Sequence, residues 1–294
     1  MQIFENTSRI DSCIGCENPS CMYLSQPEIE CNAIDSFPYD RSNEVCVTKA
    51  ISWDNAGRKP VVNRELCFCC GVCISRCEKG RMFWNGDTVE VSDCSVRETD
   101  DYSTPLINES NALFDRIYDK LSRLRPNYHN TVVRNLLIAL GCKCSTRRIG
   151  DVYTRMDAIY SDFEGSFGAI EVEFGQDTLS ASRGLLDDIA ILNTRYGVEK
   201  LANEALTVCL QLPNARQGYW QVVKDIAVVE GIEINTITIG ALMLLVWNNK
   251  VFCPGTIPYY ADYDNKEIRS ILEAHIGRQI NLSNGYLGIL EPIK

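Results

Sequence analysis

The chain has 294 residues, a formal net charge of −10 and a hydrophobic fraction of 45%, values typical of a globular protein long enough for two domains. The negative charge excludes a uniformly basic nucleic-acid coat, and a total of two histidines argues against a His-rich zinc site or a Ser-His-Asp hydrolase. We expect no membrane span, because the longest uncharged apolar run, Ile239–Trp247, is much shorter than the roughly 18–20 residues that a helix needs to cross a bilayer. The first residues lack a basic segment followed by an apolar one, so no secretory signal is predicted.

Cysteine is concentrated in the first third of the chain. Eleven of the 15 cysteines precede residue 95, and a polar segment that contains a proline, 97–106, follows them. This change in composition predicts a boundary near residue 100, with domains at 1–100 and 101–294. In the absence of a secretory signal, reduced thiolates that bind metal are favoured over a disulfide framework.

One group of cysteines has the spacing of an iron–sulfur ligand run. The pattern C-x2-C-x2-C-x3-C is matched by Cys67, Cys70, Cys73 and Cys77. Three thiolates in a tight loop can bind three corners of one [4Fe–4S] cube while the fourth points to another, and thiolate is the soft ligand that iron–sulfide prefers. The stretch from Cys46 to Phe83 resembles the half-repeat of two-cluster bacterial ferredoxins. The resemblance implies two [4Fe–4S] clusters, one bound by Cys46, Cys67, Cys70 and Cys73 and the other by Cys13, Cys16, Cys21 and Cys77.

The cysteine pattern departs from that template and leaves alternatives open. Val47 and Glu78 follow the remote cysteines where ferredoxins have proline, the first triplet is spaced C-x2-C-x4-C, and Cys31 is a rival ligand. A zinc ribbon is the alternative metal site, because C-x2-C pairs also suit tetrahedral zinc, but it explains the x2-x2-x3 run poorly. Cys69 and Cys94 are left over, and the simplest interpretation of each is a small buried side chain.

The rest of the chain alternates between helical and strand-like patterns. Apolar residues recur at helical spacing on both sides of Pro126, which predicts two helices, and a turn at 161–165 separates two strand-like stretches. A helix, a strand, a helix and a closing apolar strand are predicted to follow, which gives an α/β sandwich around a mixed sheet. The predicted strands cover 151–160, 168–174, 207–212 and 236–247, and the predicted helices cover 113–124, 133–140, 185–192 and 220–229.

Acidic residues stand out on two of these strands. Period-two alternation places Glu171 and Glu173 on one face of the 168–174 strand, opposite its apolar residues. Two adjacent carboxylates in apolar surroundings are costly unless they are solvated or bind a cation. Mg²⁺ takes one or two carboxylates together with phosphate oxygens, and Asp157 on the preceding strand can supply a further oxygen. The alternative is that both glutamates lie on the solvated face of an edge strand.

This pattern resembles the PD-(D/E)xK nucleases, in which an Asp ends one strand and E-x-K lies on the next. Here Glu173 stands in the place of the Lys, as in the E-x-E, BamHI-like branch of the type II restriction endonucleases. The resemblance covers 105–250 and implies hydrolysis of DNA phosphodiesters with Mg²⁺ or Mn²⁺. It implies that Asp157 and Glu171 hold the metal and that Glu173 is a second ligand or orients the attacking water, so that all three are catalytic. Glu109 is a weaker candidate for a further acid.

A basic segment precedes the predicted metal site. Residues 116–155 contain nine Lys or Arg against two Asp, in a chain whose net charge is −10. Such a segment predicts contacts with the phosphates of double-stranded DNA beside the site that cuts them, and the alternative is a solvated helix face with scattered arginines. Arg147 and Arg148 are the first candidates for DNA contact, and Arg183 is a further one. Symmetric cutting of both strands would require a homodimer.

The sequence therefore predicts an α/β (α+β) protein, in which an N-terminal ferredoxin-like iron–sulfur module is joined to a nuclease-like α/β domain with a central mixed sheet. The resemblances imply a DNA endonuclease of restriction or defence in a prokaryotic cytoplasm. The main alternative is an electron-transfer protein whose second domain docks a redox enzyme. A third possibility is a DNA binder that has the nuclease fold without the activity.

Overall fold

The structure is a computed structural model that describes residues 13, 16, 19–93, 109–175, 178–199 and 204–293. The predicted domain boundary near residue 100, its linker and Cys94 lie outside the described residues. Helices and a mixed five-stranded sheet are both present, which confirms the predicted α/β class. In the ranges described, no helix combines the length and the apolar character that a membrane span requires.

The cysteine-rich part, which comprises the described residues up to 93, contains two small hairpins. Its elements are helix α1 (Gln26–Ile29), strands β1 (Ile51–Asp54) and β2 (Lys59–Val62), helix α2 (Val72–Ser75), and strands β3 (Met82–Asn85) and β4 (Thr88–Val91). β1 pairs antiparallel with β2, and β3 pairs antiparallel with β4. Each hairpin begins five residues after a cysteine, Cys46 or Cys77. The cysteine-rich part therefore repeats one unit of cysteine, turn and hairpin.

The α/β part, which comprises the described residues from 109 onward, begins with two helices. Its elements are helices α3 (Asn111–Ser122) and α4 (Pro126–Ala139), strands β5 (Lys143–Thr146), β6 (Ala158–Ser161) and β7 (Phe167–Glu173), helix α5 (Thr178–Tyr196), strand β8 (Ala205–Cys209), helix α6 (Gly218–Glu230), strand β9 (Ile234–Thr238), and helices α7 (Ile239–Trp247) and α8 (Arg269–Ile276). The hydroxyl of Ser110 accepts a hydrogen bond from the Leu113 N–H and caps α3. Pro126 occupies the first turn of α4, where its missing N–H costs nothing.

The strands of the α/β part form one sheet in sequential order from β5 to β9. β5, β6 and β7 pair antiparallel, whereas β7, β8 and β9 pair parallel. β7 is therefore the central strand, and Glu171 and Glu173 lie on it. The alternative that placed these two glutamates on an edge strand is wrong.

Two predicted elements differ from those in the structure, and one strand was not predicted. The strand predicted at 151–160 is formed only at Ala158–Ser161, where it pairs with β7 on one side and, on the other, with β5, which was not predicted. The closing strand predicted at 236–247 is wrong from residue 239 onward, where α7 begins. A continuous apolar run has no periodicity that separates a buried strand from a buried helix. The structure has a helix here, and the hydroxyl of Thr238 caps it by accepting a hydrogen bond from the Ala241 N–H.

The cysteine-rich part packs closely against the α/β part, and one hydrophobic core includes residues of both. The Trp247 indole N–H donates to the carbonyl of Cys70 at 2.9 Å, and the Lys120 ammonium donates to the carbonyl of Cys67 at 2.7 Å. The segment 38–40 binds the free edge of β5, since the Asp40 N–H donates to the carbonyl of Thr146 at 2.8 Å. The cysteine loop and the sheet edge are thus both held at the junction.

Candidate functional site

Eight cysteines line two small cavities in the cysteine-rich part. Each cavity is bordered by four of the predicted cluster ligands. The cysteines of the first cavity are Cys13, Cys16, Cys21 and Cys77, and those of the second are Cys46, Cys67, Cys70 and Cys73, with Cys69 at its border. The structure thus brings together the two groups of four that the resemblance implied. The cysteines of the described ranges are free thiols.

The buried thiols of these cavities do not favour isolated thiolates. Burial raises the pKa of Cys21 to about 12 and raises the pKa of Cys73 well above its ordinary value. The charges of the other cysteines of each group raise these pKa values further. Thiolates of Cys21 and Cys73 therefore require cationic partners, which an iron–sulfide cluster in each cavity would supply.

Backbone N–H groups point at the sulfurs. Sγ of Cys46 accepts from the Ala50 N–H, and Sγ of Cys77 accepts from the Arg81 N–H, each at 3.2 Å. Both donors lie four residues after the cysteine that they bind, which repeats the same turn in the two halves. Hydrogen bonds of this kind orient thiolate ligands and stabilise their charge.

The rival ligand Cys31 and the left-over Cys69 both have other partners. The Cys31 backbone N–H donates to the hydroxyl of Ser145 at 2.7 Å, and its Sγ lies 3.6 Å from the hydroxyl of Ser161. Cys31 therefore packs against β5 and β6 and is not one of the residues that border either cavity. Cys69 does border the second cavity, but its thiol donates to the carbonyl of Asp87 at 3.3 Å.

The predicted acids of the α/β part meet at one level of the sheet. The pairing of Ala158 with Ile170 continues outward to Asp157 and Glu171, so these two residues are cross-strand neighbours. The Asp157 carbonyl accepts from the Arg147 N–H at 3.0 Å, which places Arg147 opposite Asp157 on the other side. A row of Arg147, Asp157 and Glu171 thus runs across three neighbouring strands. The structure brings together residues that lie up to 24 positions apart in the sequence.

The Asp157 carboxylate is fixed by two donors. Its Oδ2 accepts from the Val172 N–H at 3.1 Å, and its Oδ1 accepts from the Asn130 side chain at 2.8 Å. Asn130 lies on α4 and Val172 on β7, so helix and sheet both determine the position of the carboxylate. Burial raises the pKa of Asp157 in spite of these hydrogen bonds.

A fourth acid, Asp188, completes the cluster and was not predicted. Its side chain on α5 is 1% exposed, and in the described part of the chain no donor binds either of its carboxylate oxygens. Burial raises the pKa of Asp188 to about 7. Burial, followed by the charges of Asp157 and Asp188, raises the pKa of Glu171 to about 10. Glu171 and Asp188 interact with each other, and a shared proton or a cation between them would stabilise the pair.

The sequence does contain a signal for Asp188. The buried positions of α5 recur at helical spacing and include Leu185, Ile189 and Leu192, and Asp188 lies in the same buried stripe. A carboxylate in an apolar stripe is costly unless it has a partner, so this position is a candidate for a functional acid. Gly184 on the same helix allows close approach, because a Cβ there would lie 3.3 Å from Cδ of Glu171.

A cleft opens beside the acidic cluster at the end of β7. It has a volume of about 1480 Å³, and Asp157, Glu173, Arg147 and Arg148 are among the residues that line it. Oε1 of Glu173 accepts from the Gly175 N–H at 2.5 Å, which holds this carboxylate at the turn after the strand. Arg183 is exposed on α5 and is not among the residues of the cleft. Two of the three predicted DNA-contact residues therefore line the cleft together with Asp157 and Glu173, whereas Glu171 and Asp188 lie behind Asp157 and are not among the lining residues.

The charges in the cleft suit a site that binds a metal cation at its carboxylates and a phosphate anion at its arginine. The positive charge of Arg147 lowers the pKa values of Asp157, Glu171 and Asp188 and partly offsets the effect of their burial. His129 stacks on Phe174 with 4.4 Å between the ring centroids, and burial lowers its pKa. His129 is therefore neutral at physiological pH and leaves Arg147 as a permanent positive charge beside the carboxylates.

The described side chains are not arranged as a preformed cage. Within these ranges, no three Cys, His, Asp or Glu side chains already stand as ligands of one metal ion. Mg²⁺ does not require such a cage, because it usually binds one or two carboxylates and completes its shell with water and phosphate oxygens. In an iron–sulfur cube, each thiolate binds a different iron. The oxygen donors of Asp157, Glu171 and Asp188 therefore fit Mg²⁺. The two groups of thiols fit iron–sulfur clusters.

Glu109, the weaker candidate acid, is part of a structural ion pair. Its buried carboxylate binds the Arg278 guanidinium through two hydrogen bonds, one of them 3.0 Å long, and also accepts from the Asn281 N–H at 3.4 Å. It is not among the residues that line the cleft. The structure therefore connects α3 to the region after α8 through Glu109 and gives this residue no place beside Asp157.

Replacement of Glu109 by Ala is expected to lower the free energy of unfolding by about 1–2 kcal/mol, because it removes the hydrogen bonds that the buried carboxylate accepts, while the half-exposed Arg278 keeps its bond to Asn248. Urea unfolding of the wild type and the variant measures this loss. The double variant Glu109→Ala/Arg278→Ala is the control and should recover part of it. Equal stability of Glu109→Ala and the wild type would show that the ion pair does not stabilise the fold.

Comparison with models of protein families, with curated proteins and with solved structures finds no match to this chain.

Proposed function

We propose that this protein is an iron–sulfur-containing DNA endonuclease that hydrolyses phosphodiester bonds with Mg²⁺ or Mn²⁺. The observation that carries the proposal is the cluster of Asp157, Glu171 and Asp188 at the end of the central strand, beside a cleft that contains Arg147 and Arg148. Buried acids without enough donors are stabilised by a divalent cation, and adjacent arginines attract phosphate. These are the two requirements of metal-dependent phosphodiester hydrolysis.

The surroundings of each acid suggest a different role in the proposed reaction. Asp157 and Glu171 hold the metal, and Asp188 supports Glu171 from α5. A bound Mg²⁺ or Mn²⁺ ion supplies a water of lowered pKa and stabilises the charge that develops on the phosphate oxygens. Glu173 lies at the border of the cleft, where its carboxylate can orient the attacking water. Arg147 holds a phosphate next to the acids and compensates for their combined negative charge.

The cleft provides a path for a DNA backbone. Arg148 is exposed at its border, and Asn127 and Asn130 line it from the first turns of α4. The N-terminus of a helix carries partial positive charge and free N–H groups, which adds to the attraction for phosphate. We propose double-stranded DNA as the substrate, with a homodimer where both strands are cut.

The cysteine groups are proposed to hold two [4Fe–4S] clusters with a structural role. The second group lies in a loop whose carbonyls bind Trp247 and Lys120 of the α/β part, so a cluster there would fix the junction. We propose a reducing cytoplasm, because thiols remain available for clusters in that compartment. Restriction or defence is the biological setting that we propose for such a nuclease.

A cleavage assay on anaerobically purified protein tests the proposed function. Supercoiled plasmid incubated with Mg²⁺ or Mn²⁺ should be nicked or linearised by the wild type, and EDTA should prevent this. Glu171→Ala should be inactive, whereas Glu233→Ala, an exposed glutamate before β9, should cut as the wild type does. Both variants should keep the brown colour of the clusters.

The outcomes separate the competing functions. Reversible reduction of the clusters without any cleavage would identify an electron carrier and contradict the nuclease. Salt-dependent DNA binding without cleavage under any metal would identify a binder that lacks activity. Equal cleavage by Glu171→Ala and the wild type would show that the acidic cluster is not the active site.

A further inference from the structure

The loop between β5 and β6, residues 147–157, carries three exposed apolar side chains. Ile149 is 69% exposed, Val152 is 78% exposed and Tyr153 is 79% exposed. Ile149 lines the cleft, and Val152 and Tyr153 follow it in the loop, just beyond the residues that line the cleft. Exposed side chains of this size next to a candidate catalytic cleft indicate contact with a ligand.

The loop is held in place although its apolar side chains are exposed. Oδ1 of Asp151 accepts from the N–H groups of Tyr153 at 3.0 Å and Thr154 at 2.8 Å. The Arg147 guanidinium donates to the carbonyl of Thr154 at 2.9 Å, and the Arg195 guanidinium donates to the carbonyl of Tyr153 at 3.3 Å. These bonds fix the backbone on both sides of Tyr153, so its ring is presented to solvent in a defined place.

The charges around these side chains favour a nucleic acid over an apolar protein partner. Arg148 and Arg155 flank the apolar positions, and both side chains are largely exposed, with only loose ion pairs to Asp151 at 3.9 Å and to the exposed Asp187 at 3.8 Å. The carboxylate of Asp151, in contrast, is 10% exposed and is used within the loop. Apolar and aromatic groups between exposed arginines match the chemistry of DNA, in which the faces of the bases alternate with phosphates.

We propose that Tyr153, together with Val152, stacks on nucleobases of the DNA that enters the cleft and unstacks them from their neighbours. The inference rests on the proposed function and adds the contact that positions the strand at the acids. The arginines bind the phosphates on either side, and the apolar side chains occupy the space between two bases. The cleft therefore takes up a locally opened strand, from a duplex or from single-stranded DNA.

Fluorescence of DNA that contains 2-aminopurine tests this inference without cleavage. Duplex and single-stranded oligonucleotides with 2-aminopurine at several positions are titrated with the protein in the presence of Ca²⁺. The wild type should raise the fluorescence as bases unstack. Tyr153→Ala should lose this signal and bind about 5- to 100-fold more weakly, the range expected for one lost stacking contact. Tyr153→Phe should keep both signal and affinity, because the ring remains.

A matched control removes apolar surface elsewhere. Val228→Ser and Val229→Ser change side chains that are 74% and 76% exposed on α6, and they should bind DNA as the wild type does.

Equal unstacking and affinity for Tyr153→Ala and the wild type would overturn the inference, as would an effect on RNA binding alone. If DNA is bound and unstacked through Tyr153 but never cut, the proposed nuclease fails and the stacking contact stands. If DNA is cut equally by Tyr153→Ala and the wild type without unstacking, the nuclease stands and the stacking contact fails.

Discussion

Replacement of Glu171 by Gln is expected to abolish cleavage and, at the same time, to stabilise the metal-free protein at alkaline pH. The loss of activity follows from the loss of a charged metal ligand, and it should reach at least about a hundredfold, since metal stabilisation of the transition state contributes several kcal/mol. Gln keeps the size of the side chain and removes its charge. Opposite effects on activity and stability distinguish a functional acid from a structural one.

The pH dependence of this stability follows from the raised pKa of Glu171. Its pKa is about 10 in the folded chain and 4.5 for an unperturbed glutamate. Between these two pH values the folded protein retains a proton that the unfolded protein releases, so the free energy of unfolding falls as pH rises. Gln has no such proton. The advantage of Glu171→Gln over the wild type should therefore be near zero at about pH 5 and reach about 2–4 kcal/mol at about pH 9.

Urea unfolding at pH 5 and pH 9, with EDTA present, measures this difference, and Glu233→Gln is the control. Saturating Mg²⁺ should stabilise the wild type at pH 9 and leave Glu171→Gln unchanged, since a ligand that binds only the folded state raises stability by mass action. A pH-independent difference between the variants would contradict the burial of an ionisable Glu171. A Glu171→Gln protein that still cuts DNA would contradict the assignment of the metal ligand.

The sequence predicted those parts of the candidate sites that depend on the spacing of residues within one loop or one strand. Cys67, Cys70 and Cys73 share a short loop, so their intervals alone predict that these three act together, and the structure places them at one cavity and Cys77 at the other. The alternation on β7 likewise predicts one face for Glu171 and Glu173, because the period of a strand is fixed by its backbone. Such local patterns are determined by geometry that is the same in every protein.

The parts that could not be predicted depend on packing across the molecule. Cys31 has a plausible position in the sequence for a cluster ligand, but Ser145 and Ser161 of the sheet hold it elsewhere. Asp188 lies 17 residues from Glu171, and the fold of α5 onto β7 brings the two acids together. The sequence predicts a strand in place of α7 because every residue from 239 to 247 is buried, which removes the amphipathic pattern of a helix.

Replacement of Cys73 by Ser is expected to remove one of two clusters and to weaken the junction of the cysteine-rich and α/β parts. Iron should fall from about eight to about four atoms per chain, since each [4Fe–4S] cluster holds four. Cys31→Ser is the matched control, because Cys31 is also buried but lies outside both cavities, and it should keep the full iron content. Iron analysis and the visible absorbance of anaerobic protein measure both changes.

A comparison of Cys73→Ser with Cys16→Ser tests how the clusters support the fold. The second cavity is bordered by Cys67 and Cys70, whose carbonyls bind Lys120 and Trp247, whereas Cys16 borders the first cavity. Loss of the second cluster should therefore lower the Tm more than loss of the first, so that Cys73→Ser unfolds at a lower temperature than Cys16→Ser. Equal Tm values would show that the hydrogen bonds to Trp247 and Lys120 do not transmit cluster binding to the α/β part. Full iron content in Cys73→Ser, or a loss of iron in Cys31→Ser, would contradict the grouping of the ligands.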